Sequence, residues 1–444
     1  MELQSEKQQK ITKAIYYEIK PSKTKSVVLS CLTYSASKLW NVANYERRNW
    51  DKESGEEYPN WYVQKKKLKN HFWYKNLPSQ SAQEVLKQLS EAWDSFYKLQ
   101  KTGGVKNAKP PRFKDGNFNI RFLNNGFVLG DDSIRLSIPR QLKTYLFQKY
   151  GIDNKFLYIP IPKNYQNISG NPKMVEISSI ENGKYKVIII VQEEKEEIKP
   201  ADREIYMSID PGINNLATCY VSTGETFIIS GRQLLSIERY FSKETGYYQS
   251  ISDAKQSADG IKYPKKSKRV LQLYSKRGKQ IHHLLHSATK TIVDIAKEKG
   301  VTKVIVGDIT NIREDKNHGR VNNQKLHKWP FKKFLTLLVY KLNNQGIATH
   351  VQEESYSSQC SPYSQEVSKE YAQKKNRKYR GLYKIDNRIY NADCVGAFNL
   401  MRKYLCRTDE NIRPAVVGLD SPKMYRWDGY RFSANPKLVI SMAM

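Results

Sequence analysis

Two short segments place an acid at a point where the chain has just left a buried element. SIDPGINN (208–215) ends an apolar run on Asp210 and turns at once through a Pro-Gly pair. A carboxylate at the end of a buried strand can hold a divalent metal, and an aspartate before Pro-Gly can equally serve the turn itself. NADCVGAFNLMRKYL (391–405) opens a helix whose apolar face runs through Val395, Phe398, Asn399 and Leu400, with Asp393 in its first turn. There the helix dipole alone favours an acid. Two such acids in a chain of net charge +31 make the metal reading weightier than for either alone. Phosphodiester cleavage by two Mg²⁺ ions needs about three carboxylates, holding the ions roughly 3.5–4 Å apart.

A third acid has two sources. VTKVIVGDITNI (301–312) reads as a buried strand that delivers Asp308, and GIATHVQEESYSSQC (346–360) brings Glu353 and Glu354 to the end of a strand expected close by.

The elements that must position these acids follow from periodicity. From 205 the order is strand, strand, helix, strand, helix, strand: EIYMSIDPG, then LATCYVS and ETFIIS as a hairpin ladder. A long basic helix over 267–300 closes at Gly300, VTKVIVGD is a strand, and a helix over 329–346 starts at Pro330 and ends at Gly346. This is an α/β domain with a mixed sheet. Earlier, a strand at 11–23 precedes a helical, basic unit; a helix over 84–99 carries Val85, Leu89, Ala92, Trp93 and Phe96 on one face, with Ser81 and Glu84 as a capping box. After a Gly/Pro/Lys linker (101–116), short strands from FNIRFL to KYKVIIIVQEE suggest a small barrel that the first strand could join. EEKEEIKPADRE (193–204) reads as a solvated linker.

Composition narrows the partners. Lys and Arg total 75 against 44 acids, and 30 tyrosines offer flat faces for bases. Such a chain repels itself unless an anion neutralises it, and nucleic acid is the commonest one. With 39 % hydrophobic residues the 444-residue chain can bury cores for two or three domains, and it has no run of about 18 apolar residues. Five scattered cysteines without a C-x-x-C spacing point to reduced thiols in a cytoplasmic protein.

IDPGINNLAT, the strand–helix order, VIVGDITNI, SYSSQC and YNADCVGAFNLMRKYL together resemble the TnpB family, the transposon-encoded OrfB proteins; PPRFK (110–114) and the inserted helical unit match its layout. The resemblance implies an RNA-guided DNA endonuclease, related to compact type V CRISPR effectors, with Mg²⁺ as cofactor (Mn²⁺ able to substitute). Its expected fold is multidomain α+β: an RNase H-like RuvC domain plus a wedge-type β-barrel with an inserted helical recognition domain. The boundaries are wedge 1–28 and 110–200, recognition domain 29–109, RuvC 201–355 and 390–406, a nucleic-acid-binding insert 356–389, and a tail, 407–444, of unassigned role. Expected partners are a guide RNA, transposon-derived or from a CRISPR array, and double-stranded target DNA beside a short flanking motif. The cuts would leave 5′-phosphates. The protein would be a monomer or dimer in a prokaryotic cytoplasm, held near the nucleoid by DNA.

In this frame Asp210 matches the family's first catalytic acid and Asp393 its third. The second is usually a glutamate where this chain has Gly307. Asp308 stands one residue on, which on a strand turns its side chain to the other face. Some branches of the family replace that acid with one placed like Glu354. The expected metal ligands are therefore Asp210, Glu354 and Asp393, with Asp308 the alternative. A site that has lost its acid would instead make a guided, non-cutting repressor; a DNA-joining transposase lacks an end-binding domain here. Cys360 stands alone, with Tyr363 in the place of a second zinc ligand, so no structural zinc is expected. His282 and His286, four apart on a helix, read as a packed face, and His318 and His327 receive no ligand role. Phosphate contacts are expected from Lys65, Lys66, Lys67, Arg112, Lys114, Lys265, Lys266, Lys268, Arg269, Arg277, Arg377 and Arg380.

Overall fold

The computed structural model describes residues 10–103, 107–180, 183–194, 204–309, 319–377, 379, 381–385, 387–408 and 414–434. Arg380, His318, most of the linker at 193–204 and the 200/201 boundary lie outside them. The chain divides into two compact units, Met1–Glu196 and Glu197–Met444. Among the described residues no helix is long and apolar enough to cross a membrane.

The first unit opens with β1 (Lys10–Ile19), followed by α1 (Lys23–Arg48), α2 (Trp61–Lys67), α3 (Phe72–Lys75) and α4 (Ser79–Thr102). Then come β2 (Ile120–Leu123), β3 (Phe127–Leu129), β4 (Ser133–Ser137), α5 (Arg140–Tyr150), β5 (Phe156–Pro160), β6 (Asn171–Ile180) and β7 (Lys184–Glu194). β1 does join the later strands, pairing antiparallel with β7 from Lys10↔Glu194 to Ile19↔Tyr185. The strands do not close into a barrel. They form an open sheet in the order β1-β7-β6-β2 and a separate one in the order β3-β4-β5. Leu29, Leu32 and Leu39 of α1, Leu86 and Leu89 of α4, and Phe122, Ile177 and Val187 of the first sheet share one core.

Two local expectations change. α4 starts at Ser79 with Pro78 at its N-cap, so Ser81 lies inside the helix and its hydroxyl is buried without a partner among the described residues. The Pro78 carbonyl accepts the first helical bond, from Ala82 N at 2.9 Å, and no side chain caps this end. α5 lies between strands where no helix was expected. Its signals were present: Leu142 and Leu146 four apart, Pro139 before it and Gly151, at φ +64°, after it.

The second unit contains β8 (Tyr206–Asp210), β9 (Asn215–Val221), β10 (Thr226–Ser230), α6 (Arg232–Ala258), α7 (Lys268–Glu298), β11 (Lys303–Asp308), α8 (Arg320–Lys328), α9 (Phe331–Asn344) and β12 (Ala348–Glu353). The hairpin β13 (Leu382–Ile385) and β14 (Arg388–Asn391) leads into α10 (Ala392–Thr408), and β15 (Lys423–Trp427) and β16 (Phe432–Ser433) follow. Seven strands form one mixed sheet in the order β12-β11-β8-β9-β10-β15-β16. β15 pairs parallel with β10, and β16 pairs with β15, so residues 423–427 and 432–433 belong to this sheet.

β8 lies in the middle of this sheet and is covered on both faces. Met207 and Ile209 share a core with Ile292 and Ala296 of α7 and Leu338 of α9, together with Val304 and Val306 of β11. Tyr206 and Ile305 share the opposite core with Phe398 and Met401 of α10. Ser208 Oγ donates to Ala397 O at 2.6 Å, which fixes α10 against the strand. Side chains alternate along a strand. Asp210 therefore follows Tyr206 and Ser208 onto the α10 face, and position 307 follows Ile305 there. Asp308 follows Val304 and Val306 to the other face.

Candidate active site

Three elements deliver acids to the end of the sheet. β8 ends on Asp210. β12 ends on Glu353 beside Asp308, in the register Gly307↔Gln352 and Asp308↔Glu353. α10 carries Asp393 in its first turn, capped by Asn391 Oδ1, which accepts from Asp393 N at 3.0 Å and Cys394 N at 3.2 Å.

The two neighbouring glutamates part company. Glu353 accepts from Ser355 N at 2.8 Å and pairs with Lys403 of α10, and these partners hold its carboxyl down at about 2. Glu354 turns the other way, into the space above Gly307. A Cβ on Gly307 would collide with its carboxylate, 2.6 Å from Cδ and 2.8 Å from Cγ. Glu354 Oε1 is buried with no hydrogen-bond partner among the described residues. Burial, and then the charges of Asp210, Asp308 and Glu353, push the Glu354 carboxyl up to about 9.

Asp210 is raised to about 7, first by burial and next by Asp393, with the Arg377 guanidinium pulling back. α10 approaches it at a glycine: a Cβ on Gly396 would stand 2.5 Å from Asp210 Oδ2. Asp393 accepts from Asn215 Nδ2 at 2.7 Å through Oδ2, and its Oδ1 lies 3.5 Å from Arg377 Nη2. Asp210 is thus the shared neighbour, crowded by Asp393 and itself crowding Glu354. Among the described residues no three acids or imidazoles converge on a single point. Asp210, with Asp393 and Glu354 as its charged neighbours, is the residue that could share a cation with either of them. A buried carboxylate oxygen without a donor and a run of mutually repelling acids is the donor set that hard divalent ions such as Mg²⁺ satisfy.

A cleft of about 650 Å³ opens beside Asp210 and Asp393, walled by Asn215, Arg232, Ile309, Leu326 and Arg377 among others. Glu354 is not among its lining residues. The sequence reading found the acids but missed Asn215, Gly396 and the ion pair of Arg377 with Asp393. Asn215 stood in the quoted SIDPGINN motif. Gly396 was visible as a glycine inside a helix, which needs a packing reason.

The remaining candidates separate into free and committed groups. Lys66, Arg112, Lys265, Lys266, Lys268 and Arg269 are exposed. Lys65 and Lys266 lie over Trp61 and Tyr274 at 5.7 and 4.6 Å. Lys67 pairs with Glu46 at 2.6 Å. Lys114 lies over Trp40 at 4.4 Å, and its carbonyl and those of Pro111 and Arg112 accept from Asn41, Asn44 and Trp40, which docks the PPRFK segment on α1. Arg277 is turned inward, in a two-pronged pair with the buried Glu238 of α6 at 2.7 and 3.0 Å. Its guanidinium ties α6 to α7 and is not offered to phosphate.

Cys360 Sγ lies 3.3 Å from Ser368 O. Tyr363, where a second zinc ligand would stand, has its hydroxyl 2.8 Å from Tyr390 OH and accepts from Arg388 at 2.7 Å. His282 and His286 pack edge to face at 4.2 Å, and Lys341 Nζ donates to His286 O at 2.6 Å. His327 is exposed on α8.

Comparison with known proteins bears on this architecture. The OrfB_IS605 family, described as a probable transposase, matches residues 189–313. A TnpB-like protein, ORF457, of Acidianus two-tailed virus is 23 % identical over 404 residues, covering 83 % of this chain and 81 % of the relative. The putative RNA-guided DNA endonuclease InsQ of Escherichia coli strain K12 is 22 % identical over 377 residues, covering 80 % and 83 %. The solved Cas12f1 chain, from its complex with single-guide RNA and target DNA, has a TM-score of 0.60 at 13 % identity, over 85 % of this chain and 82 % of that one. That likeness is one of fold, multidomain α/β. Over most of its length the chain is thus similar to TnpB-like proteins, and its segment 189–313 matches the OrfB_IS605 family.

Proposed function

We propose that this protein is an RNA-guided DNA endonuclease whose acids are Asp210, Glu354 and Asp393 and whose cofactor is Mg²⁺. The observation that carries the reading is the carboxylate of Glu354 filling the space over Gly307 beside Asp210. It supplies a third acid on the α10 face of the sheet, where the side-chain alternation sends Asp308 away. The name of the Escherichia coli relative supports the same activity.

Asp210 would be shared by two ions, Glu354 completing the shell of one and Asp393 of the other. When bound, such ions would supply activation of a water and charge neutralisation at the leaving 3′ oxygen. The protein's own groups prepare for this. Asn215 orients Asp393 by donating to Oδ2. Gly396 lets α10 come close to Asp210 without a side chain between them. Burial and the neighbouring acids hold the Glu354 carboxyl up at about 9, so it would have to give up a proton to hold a cation. Guide pairing would read the target sequence, and exposed cations such as Lys66, Lys268 and Arg269 would hold the backbone.

The test is guided cleavage of double-stranded DNA in Mg²⁺ with the protein's own guide RNA. Cutting should be lost with chelator and with Asp210→Ala. Tight guided binding without any cutting by the wild type would make the protein a repressor on a nuclease fold.

A further inference from the structure

Arg377 sets a guanidinium against the same acids that the metal reading needs. Its Nη2 lies 3.5 Å from Asp393 Oδ1. Its charge also lowers the Asp210 carboxyl against the two influences that raise it. The other oxygen of Asp393 accepts from Asn215. Asp393 therefore has one oxygen held by a neutral amide and the other by a cation. Arg377 lines the cleft with Asp210 and Asp393. It belongs to neither the sheet nor α10, but follows a short turn, Lys374–Asn376, in the 356–389 insert.

The contact is built to be broken. It is a single approach at 3.5 Å, and the Arg377 side chain is 36 % exposed. Such pairs are weak. A guanidinium on Asp393 also repels a divalent ion arriving at the same acid. The two occupants compete unless something anionic draws the arginine off. A planar guanidinium is well suited to a phosphate, which it can grip through two donors.

We propose that Arg377 is a removable counter-ion of the candidate metal site. In the absence of nucleic acid it neutralises Asp393 and weakens metal binding. A nucleic-acid phosphate in the cleft takes the guanidinium and frees Asp393. Nucleic acid and metal then favour each other's binding, because linkage is reciprocal. The inference rests on the reading of Asp210, Glu354 and Asp393 as metal ligands.

The experiment is a titration of the full chain with Mn²⁺ alone, without nucleic acid, following free Mn²⁺ by electron paramagnetic resonance. Wild type, Arg377→Gln, Arg377→Lys and Asp210→Asn are compared, with circular dichroism to confirm folding. Arg377→Gln should bind Mn²⁺ roughly 3- to 10-fold more tightly than wild type. Arg377→Lys keeps the charge and should stay near wild type, and Asp210→Asn should lose the site. Equal or weaker binding by Arg377→Gln, with Asp210-dependent binding intact, overturns the counter-ion and leaves the metal site standing. Binding that does not depend on Asp210 in any variant overturns both.

Discussion

Glu354 and Gly307 occupy one space between them: the residue on β11 has no side chain, and the carboxylate from the end of β12 lies where one would be. Gly307 is buried, so Glu354 cannot move aside into solvent without opening a gap. Gly307→Ala should displace the carboxylate and lower guided cleavage by about a hundredfold or more, while the sheet stays folded. Gly307→Glu combined with Glu354→Gly should recover part of that loss, since the acid then reaches the same place from the neighbouring strand. Cleavage assays on both variants check this.

The close approach of α10 to Asp210 gives a second test. Gly396→Ala would set a methyl 2.5 Å from Asp210 Oδ2, closer than any contact of that kind allows. Either the helix or the carboxylate must shift by about half an ångström or more. Cleavage should fall by at least about tenfold, since a 1 Å misplacement can cost a hundredfold. The melting temperature should change far less than for a core deletion.

The crowded acids make the metal-free protein sensitive to pH. Glu354 is raised from 4.5 to about 9 and Asp210 from 3.8 to about 7. A raised folded-state pKa contributes stability that is fully present below the unfolded value and lost as pH rises through the folded one. Metal-free wild type should therefore lose stability steadily between about pH 4 and pH 9. Glu354→Gln removes the larger part of that slope. At pH 8 without metal it should melt a few degrees above wild type, on the order of 1–2 kcal/mol. Mg²⁺ should raise the melting temperature of wild type and leave the variant nearly unchanged. Thermal melts across pH, with and without Mg²⁺, give the answer.

The segment after β12 depends on α10 for its shape. Asn399 Nδ2 donates to Ser357 O and Cys360 O, both at 2.8 Å. Arg402 donates to Ser361 O at 3.1 Å and also contacts Ser364 O, and burial draws its guanidinium below the usual range. Arg402→Met keeps the bulk but strands these carbonyls. It should cost about 1–3 kcal/mol and expose the 356–391 segment to limited proteolysis well before the sheet unfolds.

Much of this site was legible in the sequence. The apolar run into Asp210, the Asn-Ala-Asp start of α10 and the glutamates ending β12 all follow from strand and helix periodicity. The alternation rule separates Asp308 from position 307, and along β11 Ile305 packs into one core while Val304 and Val306 pack into the other. What the sequence could not supply is long-range geometry. No pattern says that Arg377 meets Asp393, or that Arg277 turns inward to Glu238. α6 went unseen because its buried residues, such as Leu234, Ile237 and Phe241, crowd its first half and leave the rest polar. β15 was hidden in a basic, aromatic stretch whose partner, β10, lies almost 200 residues earlier.

The most direct measurement compares guided DNA cleavage in Mg²⁺ by wild type, Glu354→Ala and Asp308→Ala. Glu354→Ala should lose at least about a thousandfold in rate, while Asp308→Ala stays within roughly tenfold of wild type. Loss of cutting in Asp308→Ala with Glu354→Ala still active would contradict the account and return the middle acid to β11.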